Sequence, residues 1–316
     1  MARRKKGNPV HGWVILDKGA GMTSTYAVGA VKRLFNAQKA GHAGTLDPLA
    51  TGILPIALGE ATKTVSFAVD REKCYRFTVQ WGAETDTDDS EGSVVATSPK
   101  RPSINAIEAI LDDFTGEISQ VPPAFSAIKV AGARAYDLAR DGETFELDAR
   151  LVFIEELSLT SAEGPEDALT HATFEARCSK GTYVRALARD MGRVLGCRGH
   201  VVALRRTQVG AFCEDMAVTL EELEAALGDD TETLVEATGQ RPGALLPITV
   251  ALDEVYQFTV TQGDAARLRC GQPLLLRGRD APIVAGTACA LYRGEPVAVG
   301  EISEGSLKPT RVFNLA

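Results

Sequence analysis

Residues 41 to 52 read Gly41-His42-Ala43-Gly44-Thr45-Leu46-Asp47-Pro48-Leu49-Ala50-Thr51-Gly52, which sets one carboxylate and one imidazole on a glycine-punctuated loop. Gly41, Ala43 and Gly44 are small or flexible positions where a ligand can approach the backbone closely. Pro48 disfavours the α region for the residue before it, so Asp47 is expected in an extended or turn conformation, held on a shaped loop. Read without its neighbours, Asp-Pro is also a helix start, with Asp47 as N-cap and Pro48 at the first helical position.

Upstream of the loop, Trp13-Val14-Ile15-Leu16 reads as a short buried strand, and Thr23 or Ser24 can cap a helix whose Val28, Val31, Leu34 and Phe35 share a face. Downstream, residues 73 to 81 alternate strictly, with Tyr75, Phe77, Val79 and Trp81 on one face and Cys74, Arg76, Thr78 and Gln80 on the other. Asp86, Asp88 and Asp89 follow. An EF-hand counted from Asp86 would need Gly at 91 and Glu at 97, where Glu91 and Thr97 stand, so the cluster reads as a polar turn. Ser103 caps a helix bearing Ile104, Ile107, Ile110, Leu111 and Phe114, which ends near Gly116. Strands are expected at 151 to 159 and 172 to 179. Arg185, Arg189 and Arg193 then form one stripe of a helix, opposite Val184, Leu187, Met191 and Leu195, a pattern that a solvated surface helix also produces. Thr219 and Glu222 make a capping box. Glycine and proline reach linker density between Thr238 and Pro247, which marks a domain boundary, and the short apolar runs beyond it suggest a small β-rich module.

A chain of 316 residues exceeds what one core usually holds, so two domains are expected. The net charge of −8 argues at first sight against a nucleic-acid partner. Its distribution argues otherwise. Acidic residues crowd positions 219 to 254, whereas Lys180, Arg185, Arg189, Arg193, Arg198, Arg205 and Arg206 face only Asp190 between 179 and 206. Residues 1 to 10 form a basic arm, either solvated or contacting phosphate. The six cysteines are scattered, without zinc-ligand spacing, and read as reduced structural thiols. No apolar run is long enough to span a bilayer and the N-terminus lacks a signal-peptide core, so a cytoplasmic protein is expected.

The opening stretch resembles the catalytic motif G-x-x-G-x-L-D-P-x-A-x-G of the bacterial tRNA pseudouridine-55 synthase family. The Asp of that motif is the essential catalytic residue, which carries the role to Asp47. Leu16-Asp17-Lys18-Gly19-Ala20-Gly21-Met22-Thr23-Ser24 is similar to the family's L-D-K-P-x-G-x-T-S element, with Gly19 in place of the proline. Further matches are Glu72 to Tyr75 with Gly82 to Asp88; Gln120-Val121-Pro122-Pro123-Ala124-Phe125-Ser126-Ala127-Ile128-Lys129; Cys178 to Asp190; and Leu204 to Thr207. Together they span most of residues 11 to 215.

The resemblance implies an α+β pseudouridine-synthase fold with a central mixed, mostly antiparallel sheet flanked by helices. It implies a basic arm at 1–10, a catalytic domain at 11–240 with a thumb-like insert at about 120–150, and a PUA-like RNA-binding domain at 247–316. Tyr75, Arg185, Tyr183, Lys18 and Leu204 would support Asp47, and His42, Lys129, Arg134, Arg189, Arg205 and Arg206 would flip the base or contact RNA. A monomer acting on the T-stem-loop of tRNA is implied, without metal, cofactor, membrane or protein partner.

The residue types suit that chemistry. Pseudouridine formation breaks the N1 glycosidic bond of uridine, turns the base and reattaches it through C5, so one ionised carboxylate suffices. Arg185 is expected to keep Asp47 charged, since a nearby cation lowers a carboxylate pKa. Flipping the base out of a folded loop costs a few kcal/mol, and stacking it on an aromatic such as Tyr75 returns about 1 to 3 kcal/mol. Tyr75 is also a candidate for removing the C5 proton, with His42 filling the space the base leaves. Competing readings are a glycosidase, which usually needs a second carboxylate and a water; a non-catalytic RNA-binding or RNA-folding protein; and a synthase dependent on a guide RNA.

Overall fold

The computed structural model describes residues 7–126, 128–130, 132–143, 145–227, 245–276 and 284–315. A nine-stranded sheet organises the larger part of the chain. Its main path runs Gly12–Lys18, Thr51–Leu58, Gly199–Val209, Lys73–Trp81, His171–Cys178, Arg150–Glu163 and Gly116–Gln120. Pairing is antiparallel except where Gly199–Val209 meets Thr51–Leu58, at Arg205↔Thr51 and Arg206↔Gly52. That one parallel contact brings two arginines to the end of the Asp47 loop.

The alternation of residues 73 to 81 is realised as the strand Lys73–Trp81 in the middle of the sheet. Phe77, Val79 and Trp81 are buried, while Arg76 and Gln80 are exposed. Phe174, paired with Phe77 in register, stacks on it at 5.4 Å between ring centroids. Helices Ser24–Leu34 and Val184–Val194 pack on this apolar face through Ala27, Val31, Leu187 and Met191. Thr23 is the cap of the first, accepting from the Tyr26 amide at 3.1 Å. The neighbouring Ser24 side chain turns inward and exchanges hydrogen bonds of 2.9 Å with both the amide and the carbonyl of Leu46, which fixes the Asp47 loop to the helix start.

The expected helix after Ser103 is shorter than its apolar spacing suggested: Ile104–Glu108 is α-helical and Asp112–Phe114 is a 3₁₀ turn. The insert leaves the sheet between paired strands, with Gln120 opposite Arg150, and carries a small hairpin (Lys129–Val130 with Ala133–Arg134) and the helix Ala135–Arg140.

Most of the expected linker, and residues 1–6 of the expected arm, lie outside the described residues. The described ends of both segments are packed. Leu246 exchanges backbone hydrogen bonds with Trp13 at 2.7 and 2.8 Å, and Asn8 bridges to Ala37. Beyond Pro247, a five-stranded sheet in the order Tyr256–Thr259, Gly286–Tyr292, Glu295–Ser303, Ser306–Val312 and Leu274–Leu275 encloses its own core with helix Gln262–Arg269. Tyr256–Thr259 and that helix were not legible as elements, because one is only four residues long and the other buries only Ala265 and Leu268. Cys289, Val299 and Phe313 share a second core with Trp13, Ile15, Phe212 and Leu252, so the β-rich module is anchored to the large sheet. All six cysteines are free thiols. Among the described residues no helix is long and apolar enough to cross a membrane.

Candidate active site

Two glycines of the opening motif, Gly44 and Gly52, serve a contact within the protein. Gly52 has φ 96°, and a Cβ there would lie 2.2 Å from the Arg206 carbonyl oxygen. Gly44, at φ 93°, gives its carbonyl to Arg206 Nη2 at 3.0 Å. Arg206 is 1% exposed and also donates from Nε to the Ile53 carbonyl at 2.8 Å. At Gly44 the close approach expected of a ligand is made by Arg206, which holds the loop through its carbonyls and is too buried to meet RNA phosphate, whereas Gly41 stays open. Gly52→Ala adds a left-handed strain of about 1–3 kcal/mol and a backbone clash. Its melting temperature is expected to fall by roughly 5 °C or more in a thermal scan.

Lys18 has a similar supporting place. It is fully buried, donates to the carbonyls of Met22 (2.8 Å), Gly19 (3.0 Å) and Pro48 (3.3 Å), and so supports the Asp47 loop through Pro48 without lining the cavity beside Asp47. Burial lowers its pKa, and the nearby Asp47 charge opposes that shift.

Asp47 stands at the lip of a cavity of about 280 Å³, walled by Lys73, Tyr75, Ser126, Thr182, Tyr183, Arg185, Leu204 and Arg206 among others. That volume is at the small end for ligand pockets and suits one nucleotide better than a folded stem. Arg185 Nε donates to Asp47 Oδ2 at 2.9 Å. The guanidinium also meets Asp89 Oδ2 at 3.2 Å, the Thr87 carbonyl at 2.8 Å and the Phe125 carbonyl at 3.0 Å. Asp89 is itself fixed by the Thr87 hydroxyl at 2.6 Å and the Glu91 amide at 3.0 Å.

The ion pair expected from the sequence is therefore present, but its effect on the carboxyl differs. Desolvation raises the Asp47 pKa above the ordinary carboxylate range; Arg185 and Lys18 pull it down, and the Asp89 charge adds to the rise. Tyr75, paired in register with Arg206, has its phenol pushed upward by burial, as has Tyr183. Lys73, which the sequence reading did not single out, is lowered to about 8 by burial and by Arg206.

The arginine stripe of helix Val184–Val194 is largely buried against acids. Arg185 meets Asp89; Arg189, 6% exposed, meets Asp88 at 2.9 Å and Asp190 at 2.9 Å; Arg193 and Arg198 meet Glu84. The RNA contact expected of Arg189 is corrected on this ground, since its donors are taken inside the protein. Asp88 and Asp89 come from the turn read only as polar and Glu84 from the short strand Ala83–Thr85 before it, about a hundred residues away in the chain, while Asp190 lies on the helix itself. Arg205 pairs with Asp17 at 2.8 Å and Glu214 at 2.6 Å while staying partly exposed. His42 lies on the short strand Ala40–His42, outside the cavity wall, with a buried Nδ1 that has no hydrogen-bond partner among the described residues; burial and Arg206 lower its pKa, which keeps the ring neutral. The side chains of Lys129 and Arg134 lie outside the described residues.

Asp47 and Arg185 also border a second cavity of about 330 Å³, lined by Asp86, Asp89, Glu91, Phe125 and Tyr136. A larger groove of about 780 Å³, between the two sheets, has Arg71 paired with Asp253 and Glu254 in its lining and lacks the converging chemistry of the Asp47 site.

A loop carboxylate paired with a buried arginine, beside a tyrosine in a nucleotide-sized cavity on a mixed sheet, defines a class of enzyme that acts on one nucleotide. The chain belongs to the TruB family of pseudouridylate synthases, whose N-terminal domain model matches residues 32–184 and whose tRNA pseudouridylate synthase B C-terminal domain model matches residues 185–255. The junction of the two models falls inside helix Val184–Val194 and is not a break in the fold, because Gly199–Val209 lies within the large sheet. Relatives called tRNA pseudouridine synthase B include one from Rhodopseudomonas palustris, 57% identical over 99% of this chain and 83% of its own length. Another, from Brucella anthropi, is 55% identical over 99% of both. Among solved structures, a chain of a Cbf5-Nop10-Gar1 complex superposes with TM-score 0.69 at 25% identity, over 96% of this chain and 84% of that one. The protein is thus an isomerase that makes pseudouridine in tRNA.

Proposed function

We propose that the chain converts uridine 55 in the T-loop of tRNA to pseudouridine, with Asp47 as the essential carboxylate. The observation that carries this reading is the 2.9 Å pair between Asp47 and Arg185 in the wall of a cavity sized for one flipped nucleotide. Tyr75 supplies the stacking face. Its phenol is held protonated at neutral pH, so the ring and not a phenolate is its main contribution, and any proton it takes from C5 must be matched by one it gives up. Tyr183 and Leu204 complete the wall. The neutral His42 ring fills the space the base vacates, and Lys129, Arg134 and Arg205 meet the RNA backbone. The module at 247–316 serves as a PUA-like RNA-binding domain, and the enzyme acts as a cytoplasmic monomer.

The guide-free reading is supported by an insert at about 120–150 that the chain carries beside its own cavity. A T-stem-loop oligonucleotide, without guide RNA, is expected to be converted nearly as fast as whole tRNA. Conversion only when a guide RNA is added would overturn this.

The pH dependence follows from Asp47. The reaction needs the carboxylate, and its pKa is raised, so kcat/KM falls on the acid side with a midpoint above the ordinary value near 4. A pH profile measured at saturating and limiting RNA checks this; an acid limb at or below 4 would contradict it.

A further inference from the structure

We propose that Arg189 and Asp88 form a positioning pair that holds the root of the 120–150 insert at the cavity, and so governs RNA engagement more than the chemical step. The inference rests on the cavity being the uridine site.

Arg185 and Arg189 are one helical turn apart and face the same way. Each binds one acid of the Thr85–Asp89 turn and one carbonyl at the root of the insert. Arg185 takes Asp89 and the Phe125 carbonyl, whereas Arg189 takes Asp88 and, at 2.7 Å, the Val121 carbonyl. Gln120, 2% exposed, closes the root from the other side: its side chain accepts from the Tyr183 amide at 2.8 Å and donates to the Tyr183 carbonyl at 3.1 Å. The backbone from Gln120 to Phe125 is thus laid along the helix start. Ser126, the next residue, lines the Asp47 cavity, and its carbonyl accepts from the Tyr136 amide at 2.9 Å, which ties the insert's helix to the root.

The two arginines differ in one respect. Arg185 reaches Asp47, while Arg189 completes its donor set on Asp190. Arg189 can therefore release the root without removing a partner of the reacting carboxylate. Its counter-charge is placed with some strain: Asp88 has φ 61°, a left-handed conformation uncommon outside glycine. A lysine at 189 keeps the charge facing Asp88 but cannot span Asp88, Asp190 and the Val121 carbonyl together.

The test uses the full chain with Arg189→Lys and, as a second variant, Asp88→Asn. The readouts are KM and kcat on T-stem-loop RNA, and amide exchange without RNA. Expected are a KM about tenfold higher, a kcat reduced less than threefold, and faster exchange confined to the Ser126 and Tyr136 amides, whose hydrogen bonds lie at the root. A kcat loss as large as the KM change, or faster exchange spreading into Lys73–Trp81, would show a general structural role and overturn the proposal. Unchanged exchange at the root would also overturn it. If the wild type failed to convert the T-stem-loop, the uridine-55 reading would fail, while the exchange data would still decide whether the pair holds the root.

Discussion

Asp47→Asn is expected to lower pseudouridine formation by at least ~10⁴-fold, the scale seen when an enzyme loses a reacting side chain, while RNA affinity stays within about threefold. The amide has nearly the shape of the carboxylate, and its oxygen can still accept from Arg185 Nε, so the loop and cavity keep their form. The same variant is expected to melt at or above the wild-type temperature. A carboxyl whose pKa is higher folded than unfolded binds its proton more tightly in the folded state. Its contribution to stability is present below the unfolded pKa and is lost as pH rises through the folded one. Asp47 is such a group, so its ionised form costs stability at neutral pH and the amide removes that cost. Activity assays, RNA-binding curves and thermal scans on the same preparation separate the three effects. A variant that loses RNA affinity as fully as turnover would show that Asp47 organises the site and does not react.

Arg185→Ala is expected to be worse for the molecule as a whole. It removes the partner of Asp47 and leaves Asp89, 2% exposed, as a buried charge without its cation; breaking a buried pair this way typically costs 3–5 kcal/mol. A melting temperature roughly 10 °C lower is expected, together with a turnover loss larger than the loss of binding. Asp47→Asn combined with Arg185→Ala should lose little further activity, because both singles disable one unit, whereas the stability loss should remain. Full additivity of the two activity losses in a double-mutant cycle would show that the pair does not act as a unit.

The sequence made Asp47 and the central strand legible for different reasons. The strand shows in the strict alternation of Tyr75, Phe77, Val79 and Trp81, a local signal of period two. The reciprocal cap of Thr219 and Glu222 was equally local, and the structure contains both hydrogen bonds, at 2.8 and 3.1 Å. Asp47 became legible through the resemblance of its whole loop. What stayed hidden depends on tertiary pairing. An arginine stripe reads as solvent-facing until a second segment brings Asp88, Asp89 and Glu84 beneath it. Gly44 reads as a place for a ligand until the folded sheet brings the Arg206 side chain against it. The raised pKa of Asp47 was missed because a pairwise argument counts the cation and omits the desolvation that outweighs it.

The most direct measurement is tritium release from an unmodified tRNA transcript labelled at uridine C5, with purified protein and no guide RNA, followed by mapping of the modified position. Release approaching one equivalent per tRNA, with pseudouridine at position 55 and nowhere else, is the predicted result. Release mapped to another uridine, or free uracil in place of pseudouridine, would contradict it.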